Sequence, residues 1–158
     1  MKKILSIAVI IVLLGLLTSV PVQSSKNVKA KVTLTNGKVY EMNSLYTQKK
    51  GARPSQLLPC YVDGPVPMKI HLSKFSTIIS MEGHDMNVYK DRLSKEFRGF
   101  NFRKYVVTRT CFRDDSRERE YLVLFRKNLF IGGTVKKKDG TQERMVFPVY
   151  NIAFIMFL

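Results

Sequence analysis

The sequence predicts a mainly β fold, an antiparallel small barrel or sandwich carrying one short helix. Three observations lead there. Apolar and polar residues alternate over short segments along most of the chain. Asn36-Gly37 and Asp139-Gly140 stand between such segments as hairpin turns. Only one stretch has a helical period.

In "KVTLTNGKVYEM", Val32 and Leu34 precede Asn36-Gly37, with Val39 and Tyr40 after it. A tight hairpin is expected, with both turn residues at positive φ. Residues 46–66 contain Gly51, Pro54, Pro59, Gly64 and Pro65, which break ladders and helices alike, so a long loop is expected. "PMKIHL" alternates, with Met68, Ile70 and Leu72 on one face and Lys69 and His71 on the other. "STIISM" continues as a strand after a corner at Ser73 and Lys74. "MNVYKDRLSKEF" is the helix, because Tyr89, Leu93 and Phe97 recur every four residues and Gly99 supplies a stop. "NFRKYVVTRTCF" and "YLVLFR" read as an antiparallel pair across the polar turn "RDDSRERE". "LFIGGTVKK" and "QERMVFPVY" form the last hairpin. The terminal "AFIMFL" is apolar, uncharged and β-prone, and in a monomer it should be buried centrally.

The chain also carries a weak internal repeat. Residues 70–79 align with 147–156 at an offset of 77, matching Leu72 with Val149, Phe75 with Ile152 and Ile78 with Ile155. Upstream, "VTLTNGKVY" resembles "LVLFRKNLF" at an offset of 90. The expectation is two repeated β-units, 30–81 and 120–158, which together bury a face that neither buries alone.

The amino terminus has the three-part layout of a secretory signal peptide: Lys2 and Lys3, an apolar run over residues 4–17, then small or polar residues with Val22 and Ser24 before a cut at Ser25. Residues 1–24 are therefore read as a signal peptide, and 25–158 as a single β-rich domain exported to the periplasm or beyond. The alternative is a membrane anchor formed by residues 4–22, since a span needs about 20 residues.

The formal charge is +15, and loss of Lys2 and Lys3 leaves +13. Such an excess draws anions and speeds encounter with them. Outside the cytosol these are anionic envelope components (lipid headgroups or acidic polymers) or acidic proteins. The basic residues form three groups: Lys90, Arg92, Lys95, Arg98, Arg103 and Lys104 through and after the helix; Lys136, Lys137 and Lys138 at a hairpin tip; and Lys49, Lys50 and Arg53 in the long loop. The first two groups are the expected anion-binding residues, with peripheral membrane contact as one outcome. Cys60 and Cys111, the only cysteines, are expected to pair in an oxidising compartment, which would add roughly 4 kcal/mol on the chain-entropy view.

Catalytic and metal chemistry find little support. Glu82, His84 and Asp85 lie together without the further ligands a metal site needs. Asp114, Asp115, Glu118 and Glu120 alternate with arginines as a solvated turn does. The nucleophile-elbow, zincin, phosphate-loop and dinucleotide patterns do not occur, and no cofactor is expected.

"RGFNFRKY" and "LFIGGT" resemble the two signatures of the RNA-recognition motif. Their order is reversed, and Asn101 and Arg103 depart from the pattern. Together with the leader, this argues against nucleic acid as a partner. The function expected is a non-catalytic binding or assembly role in a bacterial cell envelope. The alternatives are an extracytoplasmic hydrolase with a site of scattered residues, and a membrane-anchored accessory subunit.

Overall fold

A computed structural model describes residues 26–82, 84 and 86–158. The signal peptide or anchor, and Asp85 of the Glu82–His84 group, lie outside the described residues. Among the described residues, ten strands form one antiparallel sheet curled into a half-barrel. In chain order they are β1 (Ala30–Leu34), β2 (Val39–Lys49), β3 (Leu57–Val62), β4 (Pro67–His71), β5 (Phe75–Ser80), β6 (Tyr105–Phe112), β7 (Glu120–Arg126), β8 (Leu129–Lys136), β9 (Gln142–Pro148) and β10 (Ile152–Phe157). The helix α1 (Lys90–Glu96) falls between β5 and β6.

The sheet order is β4-β3-β7-β6-β5-β10-β1-β2-β8-β9. Outward from the β5–β10 pair, both directions follow one plan. On one side comes the β6–β7 hairpin and then β3–β4; on the other, the β1–β2 hairpin and then β8–β9. β2 therefore pairs with β8 rather than with the following β3, and β7 pairs with β3 rather than with β8. At the offset of 77, β4 and β5 flank a 3-10 turn at Leu72–Lys74, and β9 and β10 flank another at Val149–Asn151. Leu72 and Val149, Phe75 and Ile152, and Ile78 and Ile155 are all buried. The offset of 90 has no such counterpart: β1 and β2 are a hairpin, while β7 and β8 do not pair.

The interior of the curl holds the main core, drawn from every part of the sheet: Val32, Met42, Leu58, Phe75, Val106, Phe125, Ile131 and Ile155 among others. β10 lies centrally, between β5 and β1, which pairs its backbone edges on both sides. The two buried threonines of β6 are satisfied locally: Thr108 donates to the Val123 carbonyl at 2.8 Å and lies 2.8 Å from the Thr110 hydroxyl. What remains inside is a cavity of about 20 Å³, room for a single water.

A second core lies on the outer face, where α1 covers β7. Leu93 and Phe97 pack on Leu122 and Leu124, with Tyr61, Phe100, Tyr105 and Val107 around them. This is why "YLVLF" is almost continuously apolar: Val123 and Phe125 face the curl, and Leu122 and Leu124 face the helix.

Three expectations are corrected. Residues 46–66 are not one loop, since β2 runs to Lys49 and β3 occupies Leu57–Val62. Pro59 is tolerated because β7 pairs only with Tyr61 and Val62, so β3 has a neighbour on one side alone at Pro59. Only one turn residue at Asn36-Gly37 has positive φ, Gly37 at 87°. Its N–H donates to the Leu34 carbonyl at 2.9 Å, and Gly140, at 89°, repeats this with Lys137 at 3.0 Å. Both are turns closed by a glycine bulge rather than two-residue turns.

The third correction is the disulfide. Cys60 and Cys111 are free thiols. Cys60 shares the core face with Leu58, whereas Cys111 follows Thr108 and Thr110 and points to the opposite face. The register sets Cys111 against Glu120 of β7, and Cys60 level with Phe125 five residues along. That is about 17 Å of strand, against a Cα separation of at most about 7 Å that a disulfide tolerates.

Candidate functional site: a cationic groove beside the β3–β4 hairpin

β3 lies between β4 and β7, and the end of β2 turns in against the segment leading into β3. Thr47 and Ser55 exchange backbone hydrogen bonds of 2.6 and 2.8 Å, and the Thr47 hydroxyl donates to the Leu57 carbonyl at 2.9 Å. This junction brings Lys49 of β2, Lys69 of β4 and Arg126 of β7 around one depression of about 670 Å³, floored by Pro59, Cys60, Tyr61 and Met68. A second depression of about 180 Å³ shares Lys49, Pro59 and Lys69 and adds Arg53. A third, of about 620 Å³, continues through Ser55 and Leu57 to Lys26 and His71. None of the three is lined by a carboxylate.

Ion pairs among the described residues engage Lys74, Arg92, Arg109, Arg119, Lys127 and Lys137. Lys49, Arg53, Lys69 and Arg126 are not among them. The groove is therefore a run of cations without local compensation, where the field of each adds to the next. Its imprint reaches Tyr61. Arg126 Nη2 lies 3.5 Å from the Tyr61 hydroxyl, and this hydrogen bond, ahead of the charges of Arg126 and Lys49, holds the phenol below its ordinary value. Arg126 also sits 5.9 Å from the Tyr105 ring centroid, so its position is set by two aromatic rings.

The expected anion-binding residues are distributed differently. Lys90, Lys95, Arg98, Arg103 and Lys104 are exposed on and just after α1, on the outer face of the sheet. Arg92 is committed to Asp63 at 3.1 Å and Glu96 at 3.5 Å. Lys136, Lys137 and Lys138 cap the β8–β9 hairpin, with Lys137 3.6 Å from Glu143. These groups do not converge. The sequence showed Lys49 and Arg53 as basic residues of the long loop, but neither they nor Lys69 and Arg126 were among the expected anion-binding residues. The outward place of Lys69 in "PMKIHL" was legible, but its convergence with Lys49 depends on pairings between distant segments.

Several other polar groups are held by neighbours within the protein. Asp63 sits at positive φ (46°), and its carboxylate receives Arg92, Arg119 at 2.9 Å and the Leu122 N–H at 3.0 Å. Asp115 accepts from the Arg117 N–H and the Tyr121 hydroxyl, which hold it below the usual carboxylate range. His71 Nδ1 bonds Ser73; burial first, then Lys26 and Lys74, hold the imidazole below its ordinary value. Burial pushes the Cys60 thiol up to about 12, which removes it as a nucleophile at neutral pH. Among the described residues no three His, Cys, Asp or Glu side chains gather as a metal site.

The two stretches that resemble RNA-binding signatures are also far apart in the sheet. Residues 98–105 lead into β6 and 129–134 form β8, with β5, β10, β1 and β2 between them. Phe97 is buried, and Phe100 packs edge-on against Tyr61 with centroids 5.0 Å apart. Among the described residues no helix is long and apolar enough to cross a membrane. Comparison with protein-family models, curated proteins and solved structures gives no match, so the groove's own chemistry is what speaks for function.

Proposed function

We propose that the chain is an exported, non-catalytic binding protein of a bacterial cell envelope, and that the groove beside β3–β4 holds an anionic envelope component. One observation carries this reading: Lys49, Arg53, Lys69 and Arg126 converge on connected depressions with no carboxylate in the lining. Cations held this way self-repel in the unliganded protein, and an anion relieves that cost as it binds. The leader-like amino terminus and the charge of +15 agree with it.

The test is retention on immobilised inorganic polyphosphate over a salt gradient, for the native protein and for the triple variant Lys49→Glu, Lys69→Glu, Arg126→Glu. Retention should fall steeply with salt as screening shortens to about 3 Å at 1 M. The triple variant should bind on the order of 100-fold more weakly, at about 1 kcal/mol per cation met. Retention indifferent to salt, or an unaffected triple variant, would remove the groove from the function.

A further inference from the structure

The β3–β4 hairpin carries something that a site for a soluble polyanion does not need. Its turn reads Gly-Pro-Val-Pro-Met, and Pro65, Val66, Pro67 and Met68 are all exposed in succession. Val66 is 68% exposed and Met68 46%, and with the two prolines they make one continuous exposed apolar run. Pro67 and Met68 also line the depression that holds Lys49, Lys69 and Arg126. Apolar tip and uncompensated cations are thus two faces of one feature. The turn's own carboxylate, Asp63, is paired with Arg92 and Arg119.

We infer that the groove's anion is the phosphate layer of an anionic phospholipid bilayer, and that the β3–β4 hairpin docks the domain on it. This rests on the reading above and narrows it to one occupant. Val66 and Met68 enter the headgroup boundary, where exposed apolar surface leaves water. Lys49, Lys69 and Arg126 stand one layer back from the tip, at the level of the phosphates. Two prolines and the clamped Asp63 hold the turn in its docking shape beforehand, so little ordering cost falls on binding. A dissolved polymer would meet the cations but gain nothing from Val66.

The chain contains no tryptophan, so a single substitution makes a position-specific reporter. The full chain carrying Val66→Trp is mixed with vesicles of brominated phosphatidylglycerol. The control is Val39→Trp, exposed like Val66 but about 30 Å from Lys49 along β2. At Val66 the emission should shift to the blue and lose about half its intensity. At Val39 it should not change, whatever the leader does. The effect should vanish on brominated phosphatidylcholine and when Lys49→Glu, Lys69→Glu and Arg126→Glu are added. No quenching at Val66, equal quenching at both positions, or indifference to lipid charge overturns the inference. A Val66→Trp chain that ignores vesicles yet still binds polyphosphate overturns bilayer docking and spares the anion groove; one that binds neither overturns both.

Discussion

The ring of Tyr46 fills the space that a side chain at Gly132 would occupy. An ideal Cβ there would lie 2.7 Å from Tyr46 Cε2, and closer still to its Cζ and hydroxyl. The two residues are register partners across β2 and β8. Arg144 closes the stack, donating to the Tyr46 hydroxyl at 3.0 Å with its guanidinium 5.0 Å from the ring centroid. The next glycine has a different reason. Gly133 lies opposite a bulge at Ser44 and Leu45, and a Cβ there would be 2.7 Å from the Asn43 carbonyl oxygen.

Gly132→Ala should therefore destabilise the protein by about 1–3 kcal/mol, the usual cost of overpacking. Tyr46→Ala in the same chain should recover part of that, since the two changes act at one point. Urea unfolding of both singles and the double variant measures it. Additive losses would mean that Tyr46 is not what excludes a side chain at position 132.

Asp63 joins α1 to the sheet through Arg92, and also holds Arg119 and the Leu122 N–H. Asp63→Ala leaves the Leu122 N–H without its acceptor and frees Arg92 and Arg119 to water, and should cost about 1–3 kcal/mol. Asp63→Asn, which keeps an acceptor for Leu122, should cost less. Hydrogen exchange should quicken over residues 90–96 before it does in β6 or β7. Uniform loss of protection across the chain would refute a local clamp.

Cys60 gives a pH signature. Its folded-state pKa of about 12 exceeds its unfolded value of 9.0, so its contribution is complete below pH 9 and is lost as pH rises through the folded value. At pH 10 the loss amounts to about 1.4 kcal/mol. Cys60→Ala removes this component, so the gap in stability between native and variant protein should narrow from pH 8 to 10.5. In the native state a thiol reagent should modify Cys111 well before Cys60, and non-reducing mass should show both thiols present. A constant gap, or a mass short by two hydrogens, would contradict this placement.

The exchange of partners across the sheet makes the halves interdependent. The β1–β2 hairpin pairs outward only with β10 and β8, and β3 reaches the rest of the sheet through β7. Fragments 1–83 and 84–158 should each lack a cooperative thermal transition alone, and should form a one-to-one complex with a β spectrum when coexpressed. Independent folding of either fragment would show that the cross-pairing is dispensable.

Much of the local structure was legible because it depends on residues close in sequence. Leu93 and Phe97 declared the helix through their spacing, and Gly37 and Gly140 declared turns because a glycine relaxes readily at positive φ. "YLVLFR" was read as a strand, but not why both its faces are apolar, since the helix that covers Leu122 and Leu124 lies over it only in the folded chain. The loop assigned to residues 46–66 failed for a related reason. Pro59 forbids a strand flanked on both sides, and the sequence does not disclose that β3 has a single neighbour there.

By itself, then, the sequence determined the kind of protein: short alternating segments, glycine turns, one amphipathic helix and a large excess of positive charge. The tertiary structure decided who lies beside whom. It set β2 against β8 and β3 against β7, turned Cys60 and Cys111 to opposite faces, and drew Lys49, Lys69 and Arg126 together from three separate strands. The reason lies in the backbone. Every strand offers nearly the same hydrogen-bonding edge, so pairing is chosen by how the whole set of apolar faces can be buried at once, and no short stretch of residues contains that choice.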